Sequence, residues 1–229
     1  MLYEIFDHMH LCTDEAVREM LPLVSEQRRQ QALRYSHTFG RFCCLKSYLM
    51  LLELLSAVYP ELDTSKPEFG YTAQGKPFLL ARPDIHFSIS HTKNAILVAI
   101  SDAPIGVDIE AFRSPSAALI ARTMNATEQA AILQPSGTRE ALLERPSGSW
   151  NARSATGTEP LALPGTPEAL FSAIWTRKEA VLKLRGTGIE GDLKHVLSGS
   201  EAIFTRIFPR KSYAFSIAQQ SISPFEILH

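Results

Sequence analysis

Hydrophobic and polar residues recur along this chain with two periods, which together predict a mixture of strands and helices. Four short segments with alternating or continuous apolar residues predict strands at 2–6, 85–91, 95–100 and 104–110. Four longer segments with helical spacing or helix-favouring composition predict helices at 14–34, 39–58, 112–133 and 171–185. Within 112–133, Thr127 and Glu128 lie near a candidate second helix start. Further strands are expected between residues 192 and 217. The pattern therefore indicates an α+β fold.

A short internal similarity suggests that this fold contains a repeat. The sequences IHFSISH at 85–91 and YAFSIAQ at 213–219 share the residues FSI, and each follows a long amphipathic helix. We therefore expect two similar α+β halves, residues 1–104 and 105–229. Residues 134–168 are rich in Pro, Ser, Gly, Thr and Ala, and they are expected to form an irregular surface insert in the second half.

The predicted helix at 171–185 carries a distinctive polar face. Trp175, Glu179 and Lys183 recur at intervals of four residues and share one side of the helix, apart from the apolar side. A solvated ion pair between Glu179 and Lys183 explains the same spacing, since such pairs are common on helix surfaces. The helix alone therefore leaves a structural and a functional interpretation open.

A second acidic group lies in the predicted strand at 104–110. Asp108 and Glu110 point to one face of this strand, because side chains alternate along a strand. Neighbouring carboxylates repel, so one pKa should rise unless a cation lies between them. Mg²⁺ suits this pair because it binds few carboxylates and completes its shell with water and phosphate oxygens. The alternative is an exposed strand end whose acids bind no ligand.

Basic residues occur at places that suit a phosphate-binding cleft between the two halves. The turn sequence Gly75-Lys76-Pro77 projects Lys76 from a stiff loop. His91 ends a predicted strand beside Ser90, although a lone histidine more often has a structural role. The segment SEQRRQQALRYS, followed by Arg41, is either a solvated helix face or the rim of a phosphate site.

Composition limits the possible partners and location. The 229 residues are 45% hydrophobic and 21% charged, which is typical of a soluble globular protein, and the formal net charge is −1. This charge argues against nucleic acid and acidic membranes as partners, and no apolar run approaches the roughly 20 residues that span a bilayer. The beginning, MLYEIFDHMH, lacks a signal-peptide pattern, and three cysteines do not suggest a disulfide framework. We therefore expect a cytoplasmic protein.

Four motifs taken together, GKP, FSISHT, GVDIE and WTRKEAVLK, resemble the 4′-phosphopantetheinyl transferases. The similarity is greatest to the larger, pseudo-dimeric type that activates surfactin synthetase in bacilli. The motifs GVDIE and WTRKEAVLK lie about 65 residues apart, and this combination is specific, whereas either alone would be weak. The resemblance covers residues 70–190 and, more loosely, the arginine-rich N-terminal helix. It implies two halves related by pseudo-twofold symmetry, with the active site in the cleft between them.

The resemblance also implies an activity, cofactors and site residues. Such enzymes transfer the 4′-phosphopantetheine group of coenzyme A to a serine of an apo acyl, peptidyl or polyketide carrier protein, releasing adenosine 3′,5′-bisphosphate, with Mg²⁺ or Mn²⁺ as cofactor. By motif position, Asp108, Glu110 and Glu179 are implied as metal ligands. Glu179 and Lys183 are implied as catalytic groups, a base and a group that assists the departing phosphate. The residues implied to contact coenzyme A are Arg41, Lys76, Ser90, His91, Thr92, Lys178 and Lys183. A monomer is expected, because one chain with both halves can complete the cleft.

Two features depart from the family pattern. The insert at 134–168 is longer than the family needs, and it lies where such enzymes often receive the carrier protein. The N-terminal segment carries arginine and glutamine where lysine is also usual, so its contacts with adenine and the 3′-phosphate stay open.

Two other functions use the same residue types. A Mg²⁺-dependent phosphodiesterase or nuclease also needs clustered acids and lysines, but the net charge argues against nucleic acid. A coenzyme A-binding or carrier-binding module without activity is the other alternative, and the complete set of three acidic positions argues against it.

Overall fold

The computed structural model describes residues 1–65, 67–133, 151–152, 166–188 and 192–220. All four motifs lie within these ranges. Most of the insert at 134–168 lies outside them, so its irregular structure stays a prediction. No helix in the described ranges is long and apolar enough to cross a membrane.

The described residues form both strands and α-helices, which confirms a mixed architecture. The strands are β1 Leu2–Phe6, β2 Phe69–Tyr71, β3 Pro77–Leu79, β4 His86–Thr92, β5 Ala95–Ser101, β6 Ile105–Ala111, β7 Asn151–Ala152, β8 Ala202–Phe208 and β9 Tyr213–Gln219. The helices are α1 Asp14–Met20, α2 Glu26–Leu33, α3 Thr38–Val58, α4 Ala117–Thr123, α5 Ala126–Leu133 and α6 Pro167–Arg185.

The helix predicted at 14–34 is wrong as a single element, because the structure divides it into α1 and α2. Pro22 lies in the short 3-10 turn Leu21–Leu23 between them. A proline has no N–H to donate within a helix and its ring clashes with the preceding turn, so the chain changes direction there.

The helix predicted at 112–133 is also divided, into α4 and α5. Asn125 begins α5, and its side chain accepts a hydrogen bond from the Glu128 N–H at 2.9 Å. The Glu128 carboxylate in turn accepts from the Asn125 N–H at 2.8 Å. This reciprocal capping starts a new helix.

The described strands form two larger sheets that repeat one topology. β1, α3, β4 and β5 give the strand order β4-β5-β1, and β6, α6, β8 and β9 give the equivalent order β8-β9-β6. In each group the strand pairs are antiparallel, and the last strand lies in the middle. β7 adds to the first sheet by parallel pairing with β1. This topology supports the expectation of two similar halves, whereas their bounds at 1–104 and 105–229 stay a prediction.

The FSI similarity that suggested the repeat is wrong as an alignment. Residues 87–89 lie in β4, an edge strand of its sheet, whereas residues 215–217 lie in β9, the middle strand of the other. In the repeated topology β4 corresponds to β8, and β9 corresponds to β5. A large apolar residue followed by a small polar one recurs in many half-buried strands, so three residues do not fix an alignment.

The two sheets pack against each other, and each is covered by a long helix on its outer face. One core joins α3 to alternate residues of β5, including Ile96 and Val98. The intervening residues, including Leu97, enter a second core with Val107 and Phe215 of the other sheet. α6 covers the outer face of that sheet through a further apolar cluster. The motifs in β4, β6 and α6 are thereby brought to one side of the molecule.

Side chains join the two sheets where β4 meets β6. Three hydroxyls of β4 accept hydrogen bonds from alternate backbone N–H groups of β6. The pairs are Ser88 with Val107, Ser90 with Ile109, and Thr92 with Ala111, at 3.0, 3.3 and 3.2 Å. The hydroxyls share one face of β4 because strand side chains alternate. This seam holds the FSISHT motif against the GVDIE motif.

Candidate active site

The motif WTRKEAVLK lies in α6, whose ends are fixed by local sequence signals. Thr166 caps the helix by accepting a hydrogen bond from the Ala169 N–H at 3.3 Å, and Pro167 follows as the first helical residue. At the other end, Gly186 adopts a φ of +70°, and its N–H donates to the Leu182 carbonyl at 2.8 Å. The predicted stop at Gly186 is confirmed.

The faces of α6 divide as the sequence predicts. Its buried apolar residues include Leu170, Ile174, Val181 and Leu184. Trp175, Glu179 and Lys183 are only partly buried. The acidic strand β6 packs against the same helix, so the two family motifs meet.

Gly106 allows β6 to approach α6 closely. A Cβ at this position would collide with the backbone carbonyl of Ala180 and the backbone nitrogen of Leu184. Only glycine permits such a close approach without displacing the helix. The glycine of GVDIE therefore has a packing role, and it brings the following acidic residues to the helix surface.

Asp108, Ser90 and Lys183 form a hydrogen-bonded group between β6, β4 and α6. The Lys183 Nζ lies 2.7 Å from Asp108 Oδ1 and 3.0 Å from Ser90 Oγ. The Ser90 hydroxyl donates to Asp108 Oδ1 at 2.8 Å. Asp108 is buried, whereas the Lys183 side chain retains 34% exposure. Lys183 therefore pairs with Asp108 on another element, whereas the helix spacing alone suggested a pair with Glu179.

Burial and neighbouring charges change the acidity of the two glutamates at this group. Burial raises the pKa of Glu179 to about 6, and the negative charge of Asp108 acts in the same direction. Burial and Asp108 also raise the pKa of Glu110, while Arg113 and Lys183 oppose this change. The charge of Asp108 therefore raises the pKa of both glutamates, and the charge of Lys183 lowers the pKa of both.

Arg113 is a neighbour of this group that the sequence analysis did not identify. Its guanidinium lies 5.7 Å from the ring centroids of both Phe171 and Trp175, and these rings stack with their centroids 6.0 Å apart. Such cation–π contacts hold the Arg113 side chain against α6, near Glu110. In the sequence, the signal that could have identified Arg113 is its position three residues after Glu110.

A cavity of about 360 Å³ opens beside Glu179 and Lys183. It lies between the β2–β3 hairpin, β4 and the end of α6. Its lining residues include Gly75, Lys76, Ser88, Glu179, Lys183 and Gly186. The cavity therefore brings the GKP motif close to the WTRKEAVLK motif.

Lys76 reaches across this cavity from the hairpin, as its turn sequence predicts. Its Nζ donates to the carbonyls of Ile105 at 3.2 Å and Leu184 at 3.1 Å. Burial lowers the pKa of Lys76. In this arrangement its ammonium binds backbone and does not point to open solvent.

His91, Arg41 and Thr92 lie outside the lining of the cavity. The exposed His91 ring packs edge-on against Phe39 at a centroid distance of 6.0 Å. Partial desolvation of the ring, followed by the charge of Lys183, lowers the pKa of His91. The Arg41 Nε donates to the Tyr35 carbonyl at 2.9 Å, and Thr92 belongs to the seam. His91 is thus electrostatically linked to Lys183, while Arg41 and Thr92 bind backbone.

Lys178 does not reach the cavity, although the motif resemblance implied a phosphate contact. Its side chain is 1% exposed and pairs with Glu128 at 2.7 Å. It also donates to the Leu193 carbonyl at 2.8 Å. Five residues before Lys183, it points to a different side of α6. These contacts correct the expected role of Lys178 to a structural one.

Asp108, Glu110 and Glu179 form an acidic group that is a candidate site for a hard cation. Asp108 Oδ2 is buried and has no hydrogen-bond partner among the described residues, which is unusual for a carboxylate oxygen. The oxygen donors of Asp108, Glu110 and Glu179 are of the type that Mg²⁺ prefers. Within the described ranges, however, no three His, Cys, Asp or Glu side chains converge as a metal-binding group. The chemistry fits Mg²⁺, and the side chains must reorient to hold it.

A family model described as the 4′-phosphopantetheinyl transferase superfamily matches residues 104–219, half of the chain, including β6 and α6. The chain belongs to this superfamily. Its structural elements thus agree with the family that the four motifs resemble.

The chain is similar to several phosphopantetheinyl transferases of known name. It is 25% identical to 4′-phosphopantetheinyl transferase psf-1 of Bacillus pumilus over 173 residues, covering 76% of this chain and 62% of that protein. It is 30% identical to 4′-phosphopantetheinyl transferase Sfp of Bacillus subtilis strain 168 over 132 residues, covering 58% of each chain. It is 31% identical to 4′-phosphopantetheinyl transferase AcpT of Salmonella typhi over 128 residues, covering 52% of this chain and 50% of that protein. The chain therefore spans less than two thirds of the length of each relative.

Proposed function

We propose that the chain transfers the 4′-phosphopantetheine group of coenzyme A to a serine of an apo carrier protein, as a monomer in the cytoplasm. The observation that carries this proposal is the group of Asp108, Glu179 and Lys183 beside the 360 Å³ cavity. The names of the similar transferases support the same reaction class.

The acidic group would hold Mg²⁺ through Asp108, Glu110 and Glu179. When bound there, the ion would offset the charge of the donor's pyrophosphate and polarise the phosphorus under attack. The support for this assignment is the buried, unpartnered Asp108 Oδ2. Lys183 would place a second positive charge, its ammonium, beside the pyrophosphate. The charge of Lys183 acts on the exposed His91, and His91 would contact the 3′-phosphate of coenzyme A.

The reaction joins the carrier serine to the phosphorus that bears the pantetheine arm. The serine oxygen forms a new bond to this phosphorus, and the bond to the bridging oxygen of the pyrophosphate breaks. The serine proton moves to Glu179, directly or through a water, and adenosine 3′,5′-bisphosphate leaves with the bond electrons. A base with a pKa of about 6 is largely ionised at neutral pH and can still accept a proton. Lys183 stabilises the departing phosphate.

The proposal is tested by incubating the chain with coenzyme A, Mg²⁺ and a panel of apo acyl, peptidyl and polyketide carriers, followed by intact-mass measurement. The expected result is a gain of one phosphopantetheine on at least one carrier. Hydrolysis of a phosphodiester without carrier modification would instead indicate a nuclease or phosphodiesterase. Binding of coenzyme A without any mass gain would indicate a binding module.

A further inference from the structure

We infer that Lys76 is a positioning residue whose ammonium ties the end of α6 to the start of β6, and that it does not bind the donor's phosphates. The expected effect of Lys76 on the transfer reaction rests on the proposed function. It differs from the role that the motif resemblance implies for the lysine of GKP.

The contacts of Lys76 connect three elements that are distant in the chain. Its Nζ donates to Ile105 at 3.2 Å, 29 positions later, and to Leu184 at 3.1 Å, 108 positions later. Its aliphatic stem passes the helix terminus, since a Cβ on Gly186 would lie 3.6 Å from Lys76 Cδ. The Leu184 carbonyl belongs to the last turn of α6, where a cation is favoured by the helix dipole.

A rigid turn holds Lys76 in this position. Gly75 has a φ of +83° and donates its N–H to the Thr72 carbonyl at 2.9 Å. The Lys76 N–H donates to Thr72 Oγ1 at 3.1 Å, and the Lys76 carbonyl accepts from the Thr72 N–H at 2.9 Å. The side chain therefore leaves a fixed backbone, which reduces the entropy lost when its ammonium binds the two carbonyls.

The two carbonyls adjoin the functional residues. Leu184 follows Lys183 directly, and Ile105 precedes Asp108 by three residues. Moving the ammonium to a phosphate would leave both carbonyls without their donor in a half-buried place, which is unfavourable. Lys76 thus fixes the helix and strand whose side chains form the Lys183–Asp108 pair.

The test compares Lys76→Met with the wild type and with Lys93→Met, a control at an exposed lysine of the β4–β5 turn. Without carrier, hydrogen exchange of amides 182–186 should become about tenfold faster in Lys76→Met only, since a charged hydrogen bond at the helix end is lost. Affinity for inorganic pyrophosphate should change by less than about threefold. In the transfer assay kcat should fall while KM for coenzyme A stays nearly constant.

A loss of pyrophosphate affinity above tenfold with unchanged hydrogen exchange would overturn the inference and make Lys76 a phosphate ligand. Unchanged exchange together with unchanged affinity would also overturn it. If Lys76→Met fails to fold, a second measurement is made on the wild type, and Lys76→Arg serves only to assign the signal. The ¹⁵Nζ signal of Lys76, assigned by its loss in Lys76→Arg, should not move when pyrophosphate is added, and a large shift would contradict the inference. Exchange and pyrophosphate binding need no carrier, so they remain decisive even if the proposed transfer fails.

Discussion

The Nζ of Lys183 on α6 lies 2.7 Å from Oδ1 of Asp108 on β6, although the residues are 75 positions apart in the chain. The contact depends on Gly106, which lets β6 lie close to α6, and on Ser90, which bonds both partners. The ion pair therefore joins the two family motifs through elements that the sequence separates widely.

Replacing Asp108 by Asn should reduce transfer strongly and destabilise the fold moderately. The change removes the charge opposite Lys183 while keeping the side-chain shape, and the partly exposed lysine can be rehydrated. We expect a loss of about 1–3 kcal/mol in the free energy of unfolding, measured by urea denaturation. Asp102→Asn, an exposed position before β6, is the control. An equal, small effect of both substitutions would show that the ion pair contributes nothing.

Glu179→Gln should stabilise the protein at pH 8 and abolish most of its activity. Burial raises the pKa of Glu179 from 4.5 to about 6, so the folded state holds its proton more tightly than the unfolded state. The unfavourable ionised form is absent below pH 4.5, develops between pH 4.5 and 6, and is complete above pH 6. Allowing for solvent screening, glutamine should add about 1 kcal/mol of stability at pH 8 and almost none at pH 4.5. Urea denaturation in EDTA measures this, and an equal gain at both pH values would exclude the ionisation as its cause.

Gly106→Ala should destabilise the protein more than Gly186→Ala. The new methyl at position 106 would collide with the α6 backbone, which cannot move without displacing Lys183. We expect a loss of about 2–3 kcal/mol from overpacking. At Gly186 the cost is about 1 kcal/mol, because only the left-handed backbone is disfavoured. Denaturation curves of both variants give the comparison, and a smaller loss for Gly106→Ala would contradict the close approach.

Lys178→Met should destabilise the fold and leave the KM for coenzyme A nearly unchanged in the surviving folded protein. The substitution leaves Glu128 as a buried, unpaired charge, which costs about 3–5 kcal/mol. The double variant Lys178→Met, Glu128→Gln should recover part of this stability. A selective rise in the KM of the folded protein would restore Lys178 as a phosphate contact.

Apolar periodicity and end signals are local, so the sequence predicted α3, α6 and the strands β1, β4, β5 and β6. The meeting of GVDIE and WTRKEAVLK was implied only by the family resemblance. The division at Asn125 depended on a reciprocal cap, of which the sequence analysis recognised only a possible second start near Thr127. The FSI similarity failed because a three-residue pattern common in strands does not define topology. The repeat is instead visible in strand order, which depends on long-range pairing.

For the site residues too, local sequence patterns predicted which side chains share a face but not which elements meet. Helix spacing placed Glu179 and Lys183 on one face, and strand alternation placed Asp108 with Glu110. Local spacing could not show that Lys183 pairs with Asp108 or that Lys178 pairs with Glu128, because each partner lies on another element. The hydroxyl seam of β4 likewise depends on how the two sheets meet.

Phosphopantetheine transfer that depends on Glu179 is tested most directly by a time course of carrier mass. The wild type, Glu179→Gln and Glu168→Gln are each incubated with carrier, coenzyme A and Mg²⁺. Glu168 lies in the first turn of the same helix, where its carboxylate accepts a hydrogen bond from Ser114 at 3.1 Å. We expect phosphopantetheine addition at similar rates by the wild type and Glu168→Gln, and a rate lower by about 10²–10⁴ for Glu179→Gln. Addition by Glu179→Gln at the wild-type rate would contradict this expectation.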